Sequence, residues 1–186
     1  MKKNKYLFLL FLIFIISCSQ TEQLLYDTSF PLTNESAYSR STQLSVKIPQ
    51  GWFTTEDNDS KLIDLWLVED NFSSQIAFKI ISFHNFEESA DLNSIVKYSK
   101  SLKKIELGKN YSEVIPDETF FINAIEFKCY QFYESNQLPS RFVIFKFNNK
   151  YYECIASFSP QAVKEKASPT VLFKIQNSVL KSLSIK

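Results

Sequence analysis

The chain has 186 residues and a nearly balanced charge, with 21 basic and 20 acidic side chains and a net charge of +1. Residues 1–17 contain three lysines and no acidic residue, so the rest of the chain has 18 basic and 20 acidic residues and a net charge of −2. A domain this close to neutral is not built to hold nucleic acid by neutralising phosphates. Its two isolated glycines also exclude a Gly-rich phosphate loop.

The first 17 residues predict a signal peptide. Three lysines, Lys2, Lys3 and Lys5, precede an uninterrupted apolar run at residues 7–16. A charged segment followed by an apolar segment is the order found in secretory signals. The run is too short to cross a hydrocarbon core, which needs about 20 apolar residues. We therefore expect this segment to be removed or replaced by another anchor.

The residues before Cys18 predict that anchor. Ile15-Ile16-Ser17-Cys18 resembles the lipobox of bacterial lipoproteins, which implies cleavage before Cys18 and a diacylglycerol on its sulfur. Two or three acyl chains attach a protein stably, because each buried methylene contributes about 0.8 kcal/mol. The alternative is an ordinary signal peptide in which Cys18 is incidental. The lipobox implies the cell envelope, and Ser19 favours an outer membrane if the organism has one.

Beyond the signal, the sequence predicts a tether and one domain. Residues 18–42 are rich in polar residues, which predicts a lipidated cysteine followed by a flexible tether that reaches about 80 Å when fully stretched. Scattered apolar residues such as Tyr26 and Phe30 would let one short segment of the tether dock on the domain. Residues 43–186 predict a single domain, long enough to bury roughly two-thirds of its unfolded surface.

The first part of the domain predicts strands. Residues 44–48 alternate between apolar and polar and end in the turn Pro49-Gln50-Gly51-Trp52. We expect Trp52 to fill the core, whereas an exposed Trp52 would contact a partner. Residues 62–68 and 75–83 predict a β-hairpin around a polar turn at 69–71.

A helix follows from Asp91 to a stop at Gly108, because its apolar residues recur at helical spacing. The positions expected to face the core are Leu92, Ile95, Val96, Ser99, Leu102 and Ile105.

Four lysines crowd the later turns of this helix: Lys97, Lys100, Lys103 and Lys104. They form a basic stripe that could meet acidic lipid headgroups or an acidic partner. Cations also suit a helix C-terminus on dipole grounds alone, and we favour a solvated face. If the domain has a partner surface on this side, Lys97, Lys100 and Lys104 are its candidates, with Trp52 as a further one.

Three strands are predicted at residues 125–133, 141–147 and 151–158. The two-residue turn Asn148-Asn149 pairs Val143 with Cys154 and leaves apolar residues on both faces of the sheet, which then needs cover on both sides. In a simple meander, Cys129 and Cys154 lie roughly 9 to 10 Å apart, beyond the about 7 Å that a disulfide allows. We expect two buried free thiols, whereas a different strand order would let them bond.

Two Ser-Pro pairs, Ser159-Pro160 and Ser168-Pro169, are typical helix starts. The second pair opens the last helix of the chain. Its predicted core-facing residues are Val171, Leu172, Ile175, Val179 and Leu183.

These elements, in this order, resemble the PsbP-like family. The matching features are the strand closing in Pro-x-Gly-Trp, the helix from about Asp91, the turn at Asn123, the three-strand meander, and the ending Ser182-Leu183-Ser184-Ile185. Ala124 stands where relatives often have Gly. The family includes an extrinsic photosystem II subunit, a nuclear-import factor that binds the Ran GTPase, and many bacterial lipoproteins. The resemblance implies an α+β fold, with an antiparallel sheet flanked by helices as an α/β/α sandwich, and action by protein binding. It brings no shared catalytic site.

No motif specifies catalysis. Cys129 and Cys154 are far apart and His84 is the only histidine, so zinc-type spacing is absent, and we expect no metal and no cofactor. His84 has no Cys, Ser or carboxylate at an informative spacing and is interpreted as a loop residue.

Three functional hypotheses remain. The first is a non-enzymatic binding or assembly module, held to the membrane through Cys18 and bound to another envelope protein. The second is a carrier of a lipid or other apolar ligand. The third, which we favour least, is an enzyme or thiol-redox protein with a reactive cysteine.

Overall fold

The computed structural model describes residues 26–55, 62–82, 91–133, 138–159 and 168–185. Within these residues the chain forms strands, two α-helices and one short 3-10 turn at Gly108–Asn110. The elements are β1 Leu32–Tyr38, β2 Leu44–Pro49, β3 Trp52–Thr54, β4 Leu65–Glu69, β5 Ser74–Ile81, α1 Leu92–Leu107, β6 Ser112–Ile122, β7 Ile125–Tyr133, β8 Pro139–Phe147, β9 Lys150–Phe158, α2 Pro169–Lys181 and β10 Ser184–Ile185.

Seven strands form one antiparallel sheet in the order β3-β4-β5-β9-β8-β7-β6, and β1-β2-β10 form a small second sheet. Successive side chains of a strand point to opposite faces, so β8 contributes side chains to two hydrophobic cores. Val143 and Phe145 join the core beneath α2 and the small sheet, whereas Phe142 and Ile144 join the core beneath α1. The layers confirm an α+β fold with an antiparallel sheet flanked by helices on both faces.

The predicted meander is confirmed residue by residue. Val143 pairs with Cys154 on one side and with Cys129 on the other, so two strand spacings separate the cysteines. Both thiols are buried and free, as expected. The turn between β8 and β9 has φ of 45° at Asn148 and 62° at Asn149, a conformation that Asn tolerates better than most residues.

The predicted flexible tether at residues 18–42 is too long, because its second half is folded. β1 pairs with β2, with Ala37 opposite Val46, and the side chains of Tyr26 and Phe30 pack against the core beneath α2. The domain therefore begins no later than Tyr26, rather than at residue 43. The mixed sequence of β1 hides this strand, since Ala37 is its one buried residue.

Helix α1 begins and ends as predicted, and α2 begins at Pro169 as predicted, but α2 ends at Lys181, so Leu183 lies beyond the helix on whose face it was predicted. The predicted apolar faces are also wrong in part. Asp91 caps α1 by accepting the Ser94 amide at 3.0 Å, and α1 ends at Gly108, whose φ is 53°. Leu102 and Ile105 are 47% and 80% exposed, and Val171 of α2 is 50% exposed. Each helix touches the sheet along a stripe narrower than its apolar sequence pattern, so the flanking apolar positions face outward.

β6 is an edge of the large sheet and is irregular. The pairing of β6 with β7 shifts between Glu113 and Glu118, a stretch that contains Pro116. Proline cannot donate a ladder hydrogen bond, and irregular edges resist pairing with another chain. This edge is therefore protected against strand addition.

Candidate functional site

The cover on the two faces of the large sheet is unequal. α1 packs on β7 and β8, and neither described helix packs closely on β3, β4 or β5. Phe53 pairs with Val68, and Val68 pairs with Gln75, so these three side chains share one face. Trp66 pairs with Ala77, which pairs with Ile155 of the α1 core. The outer strands thus extend the α1 face beyond its helix.

Four aromatic residues line a cavity at this uncovered end, and we call them the aromatic cup: Phe53, Trp66, Phe72 and Phe158. Phe158, at the end of β9, also packs against the core beneath α2. The cavity has a volume of about 380 Å³ and is also lined by Val68, Gln75 and a few small polar residues. The Phe53 and Phe72 rings meet edge to face, with centroids 5.6 Å apart. An apolar cleft with a few polar groups is the usual form of a binding site.

Phe72 is the most unusual member of the cup. It is 63% exposed and has a φ of 60°, which is rare for a bulky side chain. The turn around it is well bonded: the Phe72 amide donates to the Glu69 carbonyl at 2.7 Å, and the Glu69 carboxylate accepts from the Ser73 and Ser74 hydroxyls. Phe72 is therefore held in place at the rim, rather than projecting on a loose loop.

The floor of the cup is also fixed. The Trp66 indole N–H donates to Gln75 Oε1 at 2.9 Å, and Gln75 Nε2 donates to the Ser157 hydroxyl at 3.1 Å. This chain of bonds crosses β4, β5 and β9. The cup is thus largely formed before any partner arrives, which lowers the entropic cost of binding.

A second cleft of about 300 Å³ lies between α1 and β5. Ser99 on its floor is 2.6 Å from the Tyr130 hydroxyl and donates to Glu153 at 2.5 Å. Burial raises the pKa of the Glu153 carboxyl and of the Tyr130 hydroxyl above their ordinary values. These bonds tie α1 to β7 and β9. We interpret the cluster as a structural link between the helix and the sheet.

Arg141 is a fully buried cation beneath α2. Its guanidinium lies over the rings of Phe120 and Phe173, at 5.2 and 5.6 Å, and Nη1 donates to Gln176 and Asn177. Its Nε and Nη2 have no hydrogen-bond partner. The bonds join the middle of the sheet to α2, and all three side chains are fully buried, so the cluster belongs to the core.

The residues predicted as a partner surface are not equivalent. Trp52 is 7% exposed and belongs to the core beneath α2, so it is not a contact residue. Lys100 is turned inward to Glu113 and Asp117, at 2.5 and 2.6 Å, and its role as a surface residue is also corrected. Lys97 and Lys104 remain exposed.

The remaining predictions concern single residues with reactive or titratable side chains. Cys18 and His84 lie outside the described residues. Cys129 and Cys154 are enclosed, and burial raises the pKa of both thiols, that of Cys154 to about 12. A thiol of this kind is a poor nucleophile.

The aromatic cup is the part of the site that sequence reasoning missed. Its members come from β3, β4, the β4–β5 turn and the end of β9, more than 100 residues apart in sequence. One local signal was available: Phe72 is a large apolar residue within an otherwise polar turn.

Other kinds of site find no support within the described ranges. They contain no group of three or more His, Cys, Asp or Glu placed to hold a metal ion. They also contain no helix long and apolar enough to cross a bilayer.

No protein-family model matches the chain, and the search of curated proteins found no match. Among solved structures, the chain is similar to the solution structure of cyanobacterial PsbP (CyanoP) from Synechocystis sp. PCC 6803, with a TM-score of 0.51 and 10% sequence identity. The likeness covers 82% of this chain and 92% of that one. It shows a PsbP-like fold, as the sequence resemblance implied. At this identity the likeness speaks for the fold alone.

Proposed function

We propose that this PsbP-like chain is a lipid-anchored binding module of the bacterial cell envelope, and that it holds a partner protein in the aromatic cup without catalysing a reaction. The signal peptide and the lipobox at Cys18 support the anchor. The inaccessible thiols and the structural role of the Ser99 cluster argue against the enzyme and thiol-redox hypotheses. The cup supports the binding role.

Phe72 is the observation that carries the proposal. An exposed Phe forgoes the roughly 1.5–3 kcal/mol that its burial would contribute, and a left-handed backbone costs an L-residue about 1–2 kcal/mol more. Strain of this kind concentrates at sites of function. Aromatic anchors beside a preformed pocket dominate the affinity of protein interfaces. Phe72 has a strained backbone and is also an aromatic side chain beside a preformed pocket, where it contacts Phe53 at the rim of the cup.

A carrier of an apolar ligand is the second candidate. The cup volume of about 380 Å³ lies within the range of small-molecule pockets. A partner protein is the better fit, because Phe72 lines the cavity and is still 63% exposed. Its exposed ring would be buried by a surface larger than a small ligand.

The test is capture of partners from crosslinked envelope, read by mass spectrometry. The baits are the native lipoprotein, Phe72→Ala, and Ile105→Ala as a matched exposed apolar position outside the cup. We expect a partner retained by Ile105→Ala and reduced at least about 30-fold by Phe72→Ala, the loss typical of a hot-spot residue. A Cys18→Ala bait reports whether capture requires the anchor.

Two outcomes would contradict the proposal. A partner bound equally by the native protein and Phe72→Ala would remove the cup from the interface. An apolar molecule that co-purifies with the native protein in native mass spectrometry, and is lost from Phe72→Ala, would assign the cup to a carried ligand instead.

A further inference from the structure

The folded N-terminal segment shows where the proposed lipid tether reaches the domain. The Tyr26 ring lies 5.0 Å from Phe120 and its hydroxyl donates to Glu118 at 3.4 Å, so Tyr26 rests on the edge strand β6. Asp27 is paired with Lys174 at 2.7 Å, which holds the pKa of the Asp27 carboxyl down at about 2. These contacts fix the entry point of the chain.

The tether is therefore short. Between Cys18 and Tyr26 the chain has eight residue steps, which reach at most about 28 Å. With lipid on Cys18, the β6 edge cannot leave the neighbourhood of the bilayer. This step rests on the anchor in the proposed function.

Helix α1 is attached to the same edge, from the other face of the sheet. Lys100 bonds Asp117 of β6, the residue next to the Glu118 that receives Tyr26. Lys104, four residues later, lies over the ring of Tyr111 just before β6, at 5.4 Å. Lys97, Lys100 and Lys104 share one side of the helix by their spacing. That side faces the edge where the tether arrives.

Three exposed lysines near this edge lack an ion pair within the described ranges, and we call them the edge lysines: Lys97, Lys104 and Lys109. Lys100 and Lys103, by contrast, are both ion-paired. The helix dipole accounts for a lysine in the last turn, such as Lys104, but not for Lys97 in the first half of α1. The helix dipole and a solvated basic face thus do not fully explain why Lys97 lies beside Lys104 on this side of the helix.

We infer that the edge lysines bind the anionic phospholipid headgroups of the membrane that holds the anchor. The tether keeps the lysines within reach, which makes the contact intramolecular and raises its effective concentration. Each lysine near an anionic surface contributes a factor of about five to the contact equilibrium, or on the order of 100-fold for three. The aromatic cup lies towards the opposite edge of the sheet, five strands from β6 at β4, and stays accessible to a partner.

The test uses the full lipidated protein in vesicles of phosphatidylcholine alone or with an equal part of phosphatidylglycerol. A spin label at Ser101→Cys, exposed between Lys97 and Lys104, is compared with one at Asp70→Cys, exposed in the β4–β5 turn. Lipid-soluble and water-soluble relaxing agents report the surroundings of each label. We expect lipid contact at position 101 only with phosphatidylglycerol, weakened by salt, and water contact at position 70.

Charge variants make the test specific. Replacing all three edge lysines with Gln should lower the contact equilibrium on the order of 100-fold, whereas Lys150→Gln, at an exposed lysine that begins β9, should leave it unchanged. Equal contact on both vesicle types, or no contact at position 101 in protein that floats with the vesicles, would overturn the inference and leave the anchor standing. Protein that does not float would instead overturn the anchor. Capture of an acidic protein that depends on the edge lysines, without lipid contact, would assign them to that partner.

Discussion

On one face of the large sheet, α2 and the small sheet enclose Phe78, Phe127 and Phe145 completely. On the other face, α1 covers only the strands near β6, and Phe53 and Trp66 remain partly exposed. The same strands supply both faces, because side chains alternate along each strand. The residue composition of the strands therefore does not show which face of the sheet is enclosed and which keeps exposed aromatic side chains.

The difference lies in what covers each face. A fully enclosed aromatic side chain contributes to stability and has no surface left for a partner. A partly covered one contributes less to stability and keeps surface for binding. We therefore expect substitutions beneath α2 to act on folding, and substitutions in the aromatic cup to act on capture of a partner. Five measurements test this division, from the largest expected effect to the smallest.

The enclosed thiols should show the largest effect. Cys154 and Cys129 are at most 1% exposed, so alkylation requires an unfolded population of about 10⁻³ or less. We expect thiol labelling of the native protein to be at least 10³-fold slower than in urea, measured by mass spectrometry. Rapid labelling of either cysteine would contradict the enclosure of the core beneath α2 and would support the thiol-redox hypothesis.

A pair of Phe substitutions compares the faces directly. Phe145→Ala should lower the free energy of unfolding by about 3–5 kcal/mol, because it leaves a cavity in an enclosed core. Phe72→Ala should change it by no more than about 0.5 kcal/mol. Urea unfolding measures both. Similar losses for the two variants would mean that the cup is part of the core.

Arg141 tests whether the α2 face needs its buried charge. Arg141→Ala should cost about 3 kcal/mol, because it opens a cavity and removes the donor that Gln176 and Asn177 share. Arg141→Met should cost less, about 1 kcal/mol, because it fills the space between Phe120 and Phe173 without a charge. Unfolding in urea compares them. If Arg141→Met costs as much as Arg141→Ala, filling the space is not enough and the guanidinium itself stabilises the face.

Two glycine substitutions separate backbone strain from side-chain function. Ala124, with a φ of 63°, stands in the β6–β7 turn, and Ala124→Gly should raise the free energy of unfolding by about 1 kcal/mol. Phe72→Gly relieves similar strain but loses the ring contact with Phe53, so its gain should be smaller. Only Phe72→Gly should reduce capture of the partner. Reduced capture by Ala124→Gly would show that turn geometry alone affects binding.

Glu153 beneath α1 should give the smallest effect, and one that depends on pH. Burial raises its pKa above the ordinary value of 4.5, so the stabilisation from the bound proton is complete below that value and is lost as pH rises through the folded-state pKa. Glu153→Gln keeps a neutral group at every pH. We expect this variant to gain stability relative to the native protein as pH rises from 4 to 7, measured by thermal unfolding. A constant difference would contradict the raised pKa.

Much of the fold could be predicted because its signals are local. The Asn148-Asn149 turn sets the pairing of β8 with β9, and Asp91 and Gly108 set the ends of α1. The cup could not be predicted in this way, because Phe53 and Phe158 line one cavity only through the pairing of β3, β4, β5 and β9. Phe72 in its polar turn was the one visible trace.

The sequence by itself determined the interactions between near neighbours: the turns, the caps, the alternation of the strands, and the lipobox expectation for Cys18. Only the tertiary structure decided which predicted surface residues stay at the surface. Lys97 and Lys100 look alike in the sequence, yet Lys100 meets Glu113 and Asp117 of β6 while Lys97 does not. Burial and charge neutralisation depend on which layer lies opposite a side chain, and that layer comes from distant parts of the chain.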